Sequence, residues 1–327
     1  MKIAYLVLAH RYPEQLIRLI LRLNTENTLF FIHFDEKTDE KIFQHIVSSL
    51  SHLQNVYFLK RHSVYWGNFG HLNATLEGIK EIINKNIHFD WLILLTGQDY
   101  PIKSNRQIGN LLRESEGKLF IDYNDLRLVP PDPGWKNSGY DRINYWHFCL
   151  HKLRFVFPAK LTANAYNRYC RSNQVWFNIL SLLWSILISW LPIKRNFPNN
   201  FEPFWGSPYW FLPKECVKYL YDFIQQEPAF INFFKYVDLP EEIFFQTLFL
   251  NSKFKESIVN DNLFYIDWDN PNPTRPRVFI KTDFERLACC SKLFARKFDS
   301  TKDAEILDLL DQELLTDNKN CVSKTQA

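Results

Sequence analysis

Two adjacent carboxylates, Glu241 and Glu242, stand at the mouth of an apolar, aromatic run in VDLPEEIFFQTLFLNS. Asp238 followed three residues later by Glu241 fits a capping box, in which each acid satisfies a backbone N–H at a helix start, and Pro240 is tolerated in that first turn. Such a box employs Glu241 and leaves Glu242 over. Helical spacing puts Glu242 on one stripe with Phe245, Gln246 and Phe249, at the edge of an aromatic surface. A carboxylate there is a candidate general base. The alternative is that both acids only favour the positive end of the helix dipole, worth roughly a few tenths of a kcal/mol each.

Downstream of these acids the chain is rich in cations: Arg275 and Arg277 in PTRPRVF, then Arg296 and Lys297 in FARKFD. Such charges are commonly solvated surface. Clustered beyond a base, they could instead grip the diphosphate of a nucleotide leaving group in place of a metal ion. Metal-using nucleotide-sugar transferases set a D-x-D after a mid-domain strand, whereas the comparable strand here ends LLTGQDYP, with Asp99 alone. The one true D-x-D, Asp267-Trp268-Asp269, lies beyond the candidate base and reads as a loop rather than a metal site. His10, His33 and His62 lack close ligand spacing and read as ordinary strand-end histidines. Signature loops for phosphate-binding ATPases, serine hydrolases and dinucleotide enzymes are absent.

The elements that must position these groups are legible in the first hundred residues. IAYLVLAH, LFFIHFD, VYFL and WLILLTGQD are short β-branched or aromatic runs, separated by the amphipathic stretches PEQLIRLILRLN, EKIFQHIVSSL and HLNATLEGIKEIINK. That alternation predicts βαβ units and an α/β fold with a mostly parallel sheet flanked by helices. Ligands of such sheets bind beyond the carboxyl ends of the strands, where His10 and Arg11, His33 and Asp35, and Gln98 and Asp99 fall. The pattern turns irregular from about residue 124 to 200. It resumes with YWFLPKECVKYLYDFIQ, the helix expected after Asp238, and NLFYIDW. We expect one catalytic domain over residues 1–300 with an aromatic-rich helical insertion at about 150–200. Residues 301–327 are expected to form one short helix, DAEILDLLDQELL, and a loose polar end.

A formal charge of +3 on 327 residues is too mild to announce nucleic acid, and it suits an anionic ligand held in one pocket. Aromatics reach 17%, including ten Trp, which fits either a large aromatic core or a sugar-lined cleft. The six cysteines form no C-x-x-C pair and read as mostly reduced. The apolar run at the N-terminus breaks at His10 and Arg11, too soon for a signal-peptide core, so a cytoplasmic protein is expected. Val175 to Pro192 carries no charge and three Trp, which fits a buried or partner-packed helix, an interfacial helix at the inner face of the cytoplasmic membrane, or a short span.

Eight stretches in order, AYLVLAHRYPEQLIRLILRL, FFIHFDEK, VYWGNFGHLNATL, LLTGQDYPIKS, GSPYWFLPKECVKYL, LPEEIFFQTLFLNS, NLFYIDW and LFARKFD, resemble the core-2/I-branching β-1,6-N-acetylglucosaminyltransferases and their relatives, the peptide O-xylosyltransferases. The resemblance runs from about Lys2 to Ser300, apart from the Trp-rich insertion. It implies a GT-A-like fold, a UDP-sugar co-substrate, inversion at the anomeric centre and no cofactor or metal. The proline-acid-Glu motif of the family falls on Pro240-Glu241-Glu242, which implies that Glu242 is the base. Asp35, in the strand end His33-Phe34-Asp35-Glu36-Lys37, is implied near the uracil or ribose, with His10 beside it. Lys297 is implied as the diphosphate lysine and Arg275 or Arg277 as its partner. Trp66, Gly67, Gln98 and Asp99 are implied to line the donor pocket. Gly206, Ser207, Tyr265 and Trp268 are implied on the acceptor side.

Family members in animals carry an N-terminal anchor and several disulfides, so this chain looks like a bacterial-type member. Its acceptor is expected to be a glycan or lipid-linked glycan, such as a surface polysaccharide precursor. GlcNAc is the expected donor sugar. The alternatives are UDP-xylose as donor, or a non-catalytic carbohydrate-binding relative. A glycoside hydrolase would give the basic clamp no role.

Overall fold

Ile3–Ala9 (β1) is buried at all 7 of its residues, the pattern of a strand covered on both faces. Alternate residues point to opposite sides of it. Tyr5 and Val7 join a cluster with Leu16, Leu19 and Ile20 of helix α1 (Pro13–Leu23), while Ala4, Leu6 and Leu8 pack with Leu72, Leu76 and Ile79 of helix α3 (Phe69–Asn84). The computed structural model in which this is seen describes residues 1–128, 139–150, 153–157, 195–198, 200–269 and 275–315.

Strand β1 lies between β2 (Thr28–Phe34) and β4 (Trp91–Thr96), parallel to both, and β3 (Val56–Phe58) extends the sheet beyond β2. Helix α2 (Glu40–Leu50) connects β2 to β3, with Asp39 capping its first turn through Lys41 N–H at 2.7 Å. On the far side β11 (Trp210–Pro213) runs antiparallel between β4 and β6 (Leu119–Ile121), and β12 (Ile258–Val259) closes the edge parallel to β6. The sheet order is therefore β12-β6-β11-β4-β1-β2-β3. This mixed, mostly parallel sheet with helical layers is the α/β layout expected of a GT-A-like fold.

A second sheet holds β5 (Asp99–Pro101), β13 (Phe264–Ile266) and β14 (Phe294–Arg296), with β14 in the middle. Two ribbons complete the described strands: β7 (Asn124–Asp125) with β10 (Phe204–Trp205), and β8 (Trp146–Leu150) with β9 (Leu153–Phe157). Helix α4 (Asn105–Glu114) follows β5 and starts on a full capping box between Ser104 and Gln107.

The expected helix near the C-terminus is present at Glu305–Leu309 and continues as a wider turn through Leu314, burying Ile306, Leu307 and Leu310. Arg18 of α1 holds it through Asp308 and Asp311, each at 2.7 Å. Residues 175–192 and the polar end lie outside the described residues. No helix among the described residues is long and apolar enough to cross a membrane.

One expectation is corrected here. Residues 240–242 form a tight 3-10 turn, and the helix begins only at Phe244. No capping box forms between Asp238 and Glu241. Leu239, which precedes a proline and so is steered away from the right-handed helical region, sits at φ 49, and its N–H donates to Gly67 O at 3.1 Å. The Asp238 N–H goes to Arg142 O at 3.3 Å instead of to Glu241.

Candidate active site

Strands β4, β1 and β2 are adjacent and parallel, so the residues after them meet at one edge. The register is tied there by Gly97 N–H to Leu8 O at 3.1 Å and Asp35 N–H to Ala9 O at 2.8 Å. Strand β6 is parallel to β4 because β11 runs antiparallel to both. Asp122, after β6, and the Gly206-Ser207 segment ahead of β11 therefore come to the same edge.

At the β2 end, Asp35 is buried and accepts from Lys37 twice, through its N–H at 2.9 Å and its Nζ at 2.8 Å. Lys37 Nζ also donates to Val64 O and lies 4.0 Å above the Tyr65 ring. Lys37 thus joins the strand end to the loop that carries Trp66, which is 71% exposed, and Gly67, whose φ of 73 suits glycine. His10 is exposed beside this group, within electrostatic reach of Asp35, Lys37 and Arg296. His33 does not face a ligand: its Nε2 accepts from His62 N–H at 3.0 Å and the two rings stack. Among the described residues no group of three His, Cys, Asp or Glu is arranged to hold a metal ion.

At the β4 end the cations gather. Gln98 accepts from Arg11 Nη2 at 2.7 Å and donates to Phe298 O at 3.1 Å, and Phe298 N–H returns to Gln98 O at 2.9 Å. Buried Gln15 bridges Gly97 O and Ser300 N–H, each at 2.9 Å, which fixes the segment holding Lys297 against the strand end. Asp99 is wholly buried, and both its oxygens are engaged, by Thr96 N–H at 2.6 Å and Arg296 Nη1 at 2.7 Å. Arg296 also lies over Tyr209. Partial burial lowers the pKa of the Lys297 ammonium, and the charges that weigh on it, Arg296, Arg11, Arg275 and Lys302, are all positive.

The spacing left Arg275 and Arg277 undivided; the structure separates them. Arg277 Nε meets Asp267 at 2.9 Å and its Nη2 meets Asp283 at 2.5 Å. Arg286 shares the same two acids at 2.8 and 2.9 Å. Arg277 is therefore neutralised within the protein, whereas Arg275 is exposed and adds its charge at Lys297. The same pairs occupy Asp267, the first acid of the D-x-D. Tyr265, half-buried, stacks on Phe279 at 5.7 Å, while Trp268 is 54% exposed.

The base candidate stands on the β6 and β11 side. Arg142, from the short helix Asp141–Asn144, donates to Glu242 Oε2 at 2.6 Å, with the two side chains 13% and 26% exposed. Burial raises the Glu242 pKa and Arg142 pulls it back, leaving it above the ordinary carboxylate range. Gly206 N–H donates to Glu242 O at 2.8 Å. The approach requires glycine, because a Cβ on Gly206 would overlap the Asp122 carbonyl oxygen and lie 2.9 Å from its carbon. Asp122 accepts from Ser207 N–H at 3.0 Å and Asn262 Nδ2 at 3.2 Å, and Gln246 Nε2 donates to Ser207 O at 2.6 Å. Phe245 and Phe249 of the expected stripe are fully buried in the core beneath.

Arg142 and Asp122 escaped the reading of the sequence. Asp122 carries the signal that found Asp35, an acid after the apolar strand LFI. Arg142 carries none, since it stands a hundred residues from the acid it pairs with.

Residues 3–288 match a family model described as Core-2/I-Branching enzyme. Xylosyltransferase 2 of Rattus norvegicus is 25% identical over 338 residues, spanning 96% of this chain and 34% of the relative. Beta-glucuronosyltransferase GlcAT14B of Arabidopsis thaliana is 24% identical over 326 residues, spanning 96% of this chain and 66% of the relative. The chain thus spans about a third of the length of the xylosyltransferases it matches. The solved mannosyltransferase Ktr4p of S. cerevisiae aligns over 78% of this chain and 67% of its own at 9% identity and a TM-score of 0.30, a likeness too slight to bear on fold or function.

Proposed function

The chain belongs to the Core-2/I-branching enzyme family, and from that premise we propose that it is an inverting glycosyltransferase, moving a sugar from a UDP-sugar to a hydroxyl of a glycan acceptor without a metal ion. The observation that carries this reading is the gathering of Arg11, Arg275, Arg296 and Lys302 around Lys297, on which their positive charges weigh most after burial. Asp99 offsets one of these charges, that of Arg296; an anion joining the others would relieve their repulsion, and a diphosphate is the anion that a sugar transfer releases.

In this mechanism Glu242 accepts the proton of the acceptor hydroxyl. The oxygen forms its bond to the anomeric carbon as the bond to the diphosphate breaks on the opposite face, and the electron pair leaves with UDP. Lys297 and Arg275 stabilise the charge that develops on the leaving group. The pairing of Arg277 with Asp267 and Asp283 favours Arg275 over it for that role. Asp35 and Lys37, with Trp66 and Gly67, form the nucleoside side, and Gly206 and Ser207 form the floor beside the base. Asp99 orients Arg296 from within the wall.

GlcNAc is the donor sugar we favour. UDP-xylose and UDP-glucuronic acid are the second reading, favoured by the names of the relatives. The test is calorimetric titration with UDP, UDP-GlcNAc, UDP-xylose and UDP-glucuronic acid in EDTA, on the wild type, Lys297→Ala and Glu242→Gln. Binding that persists in EDTA, is lost in Lys297→Ala and is kept in Glu242→Gln supports the reading. Failure of every uridine nucleotide to bind the wild type refutes the donor assignment.

A further inference from the structure

Behind the base lies a second acid that the mechanism above does not use. The Glu241 side chain is buried, its Oε2 has no hydrogen-bond partner among the described residues, and its Oε1 lies 3.9 Å from Nδ1 of His71. That ring nitrogen is likewise buried and unpartnered. His71 sits in the first turn of α3, directly after the loop that carries Trp66 and Gly67. Glu241 is one residue from Glu242. The two segments are also joined by Leu239 N–H, which donates to Gly67 O.

Two buried polar groups facing each other are stable when one gives a proton to the other's lone pair, and costly when either is left bare. The surroundings select which form is present. Glu242 and Asp238 on its own segment repel negative charge at Glu241, and Arg142 from the Asp141–Asn144 helix offsets them in part. His71 faces Arg296 from β14, His33 from β2 and His10 after β1, all of which disfavour a positive imidazole. Burial acts in the same sense on both groups, pushing the carboxyl up to about 8 and the imidazole down to about 4. At neutral pH the pair is therefore a carboxylic acid beside a neutral ring, and neither carries charge.

We propose that Glu241 is a positioning residue: as the neutral acid it stands 3.9 Å from His71 Nδ1, and a small side-chain rotation that brings its proton onto that nitrogen ties the turn bearing Glu242 to the loop bearing Trp66 and Gly67. The inference rests on the transferase reading for its effect on turnover, but not for its protonation state. Loss of the Glu241 proton would place a bare carboxylate next to Glu242 and break the link. Base and donor loop would then lose their common register.

Two measurements on the full chain separate these parts. In protein labelled with 13C at the glutamate carboxyl carbons, the resonance that disappears in Glu241→Gln is expected to titrate near pH 8. A midpoint in the ordinary carboxylate range, near 4.5, overturns the proposal whatever the reaction proves to be. In turnover of the UDP-sugar that binds, Glu241→Ala is expected to lower kcat about ten- to a hundredfold at pH 7 with the donor KM unchanged. Glu241→Gln keeps an N–H to donate to His71 and is expected to recover most of that loss. The wild type is expected to lose kcat above about pH 8, and Glu241→Gln to abolish that fall. An alkaline limb that persists unchanged in Glu241→Gln, or a glutamine variant as impaired as alanine, overturns the proposal. If no UDP-sugar turns over, the transferase reading fails while the carboxyl titration still decides the state of Glu241.

Discussion

Replacing Arg142 with methionine removes the charge that holds Glu242 ionised while keeping an apolar stem of similar reach. The contact is 2.6 Å between side chains 13% and 26% exposed, so it is screened little by solvent. Unit charges about 4 Å apart attract by about 4 kcal/mol at an effective dielectric constant near 20. Reorganisation and residual water reduce that, and a neighbouring arginine typically lowers a carboxyl pKa by about 1–3 units. Burial already pushes Glu242 up, so without Arg142 nothing of similar size opposes it. The acid limb of kcat for UDP release should therefore move up by about 1–3 pH units in Arg142→Met. Below both limbs the rate should fall by about 10- to 1,000-fold, because each pH unit is a factor of ten in the ionised fraction. Toward pH 8 the deficit should shrink, since the surviving carboxylate is then the stronger base. The assay is initial-rate UDP release between pH 5 and 8 at saturating donor, with acceptor or with water in its place. An acid limb that stays put, or a loss of the same size at every pH, would show that Arg142 only supports the fold and would refute the electrostatic argument.

Other expected outcomes follow from single contacts. Gly206→Ala drives a methyl group into the Asp122 carbonyl, so the backbone under the base must shift; the cost should be about 1–3 kcal/mol or more, read as a lower urea midpoint with activity reduced in parallel. Lys297→Ala should abolish UDP binding in EDTA, as set out above. The pH dependence of stability has a definite sign. Folded Glu241 holds a proton between 4.5 and about 8 that the unfolded chain has released, so its contribution falls as pH rises through that window. Folded His71 lacks a proton that the unfolded chain binds between about 4 and 6.5, so its contribution rises with pH there and the two oppose. Above pH 6.5 the Glu241 effect stands alone of the pair, and the wild type should lose about 2 kcal/mol relative to Glu241→Gln between pH 6.5 and 8. Matching urea melts of the two proteins across that range test it.

Reading the chain by periodicity located the first four strands of the large sheet, because parallel strands buried on both faces leave unbroken apolar runs and their helices leave a 3.6-residue stripe. Once β4, β1 and β2 are known to be parallel, the residues after them must share an edge, and His10, Arg11, Asp35, Gln98 and Asp99 were found in that way. The capping box at Asp238 was misread for a local reason. The pattern S/T/D-x-x-E is necessary for the motif but does not decide whether the acid turns back to its own backbone or inward to a partner on another segment. Glu241 turns inward, to within 3.9 Å of His71 on α3, some 170 residues earlier in the chain.

Sequence alone determined the groups available and the edge at which the strand-end residues meet: residue types are written in the chain, and strand direction follows from the crossovers that connect the strands. Which partners those groups meet, and which of them are buried, was decided by tertiary structure. Arg277 and Arg275 look alike in PTRPRVF, yet one is taken up by Asp267 and Asp283 while the other lends its charge to Lys297. Glu241 and Glu242 are neighbours of one kind, yet one faces His71 in the interior and the other faces Arg142 near the surface. Ionisation and pairing depend on burial and on charges a few ångströms away, and the chain brings those charges together from positions that no local pattern connects.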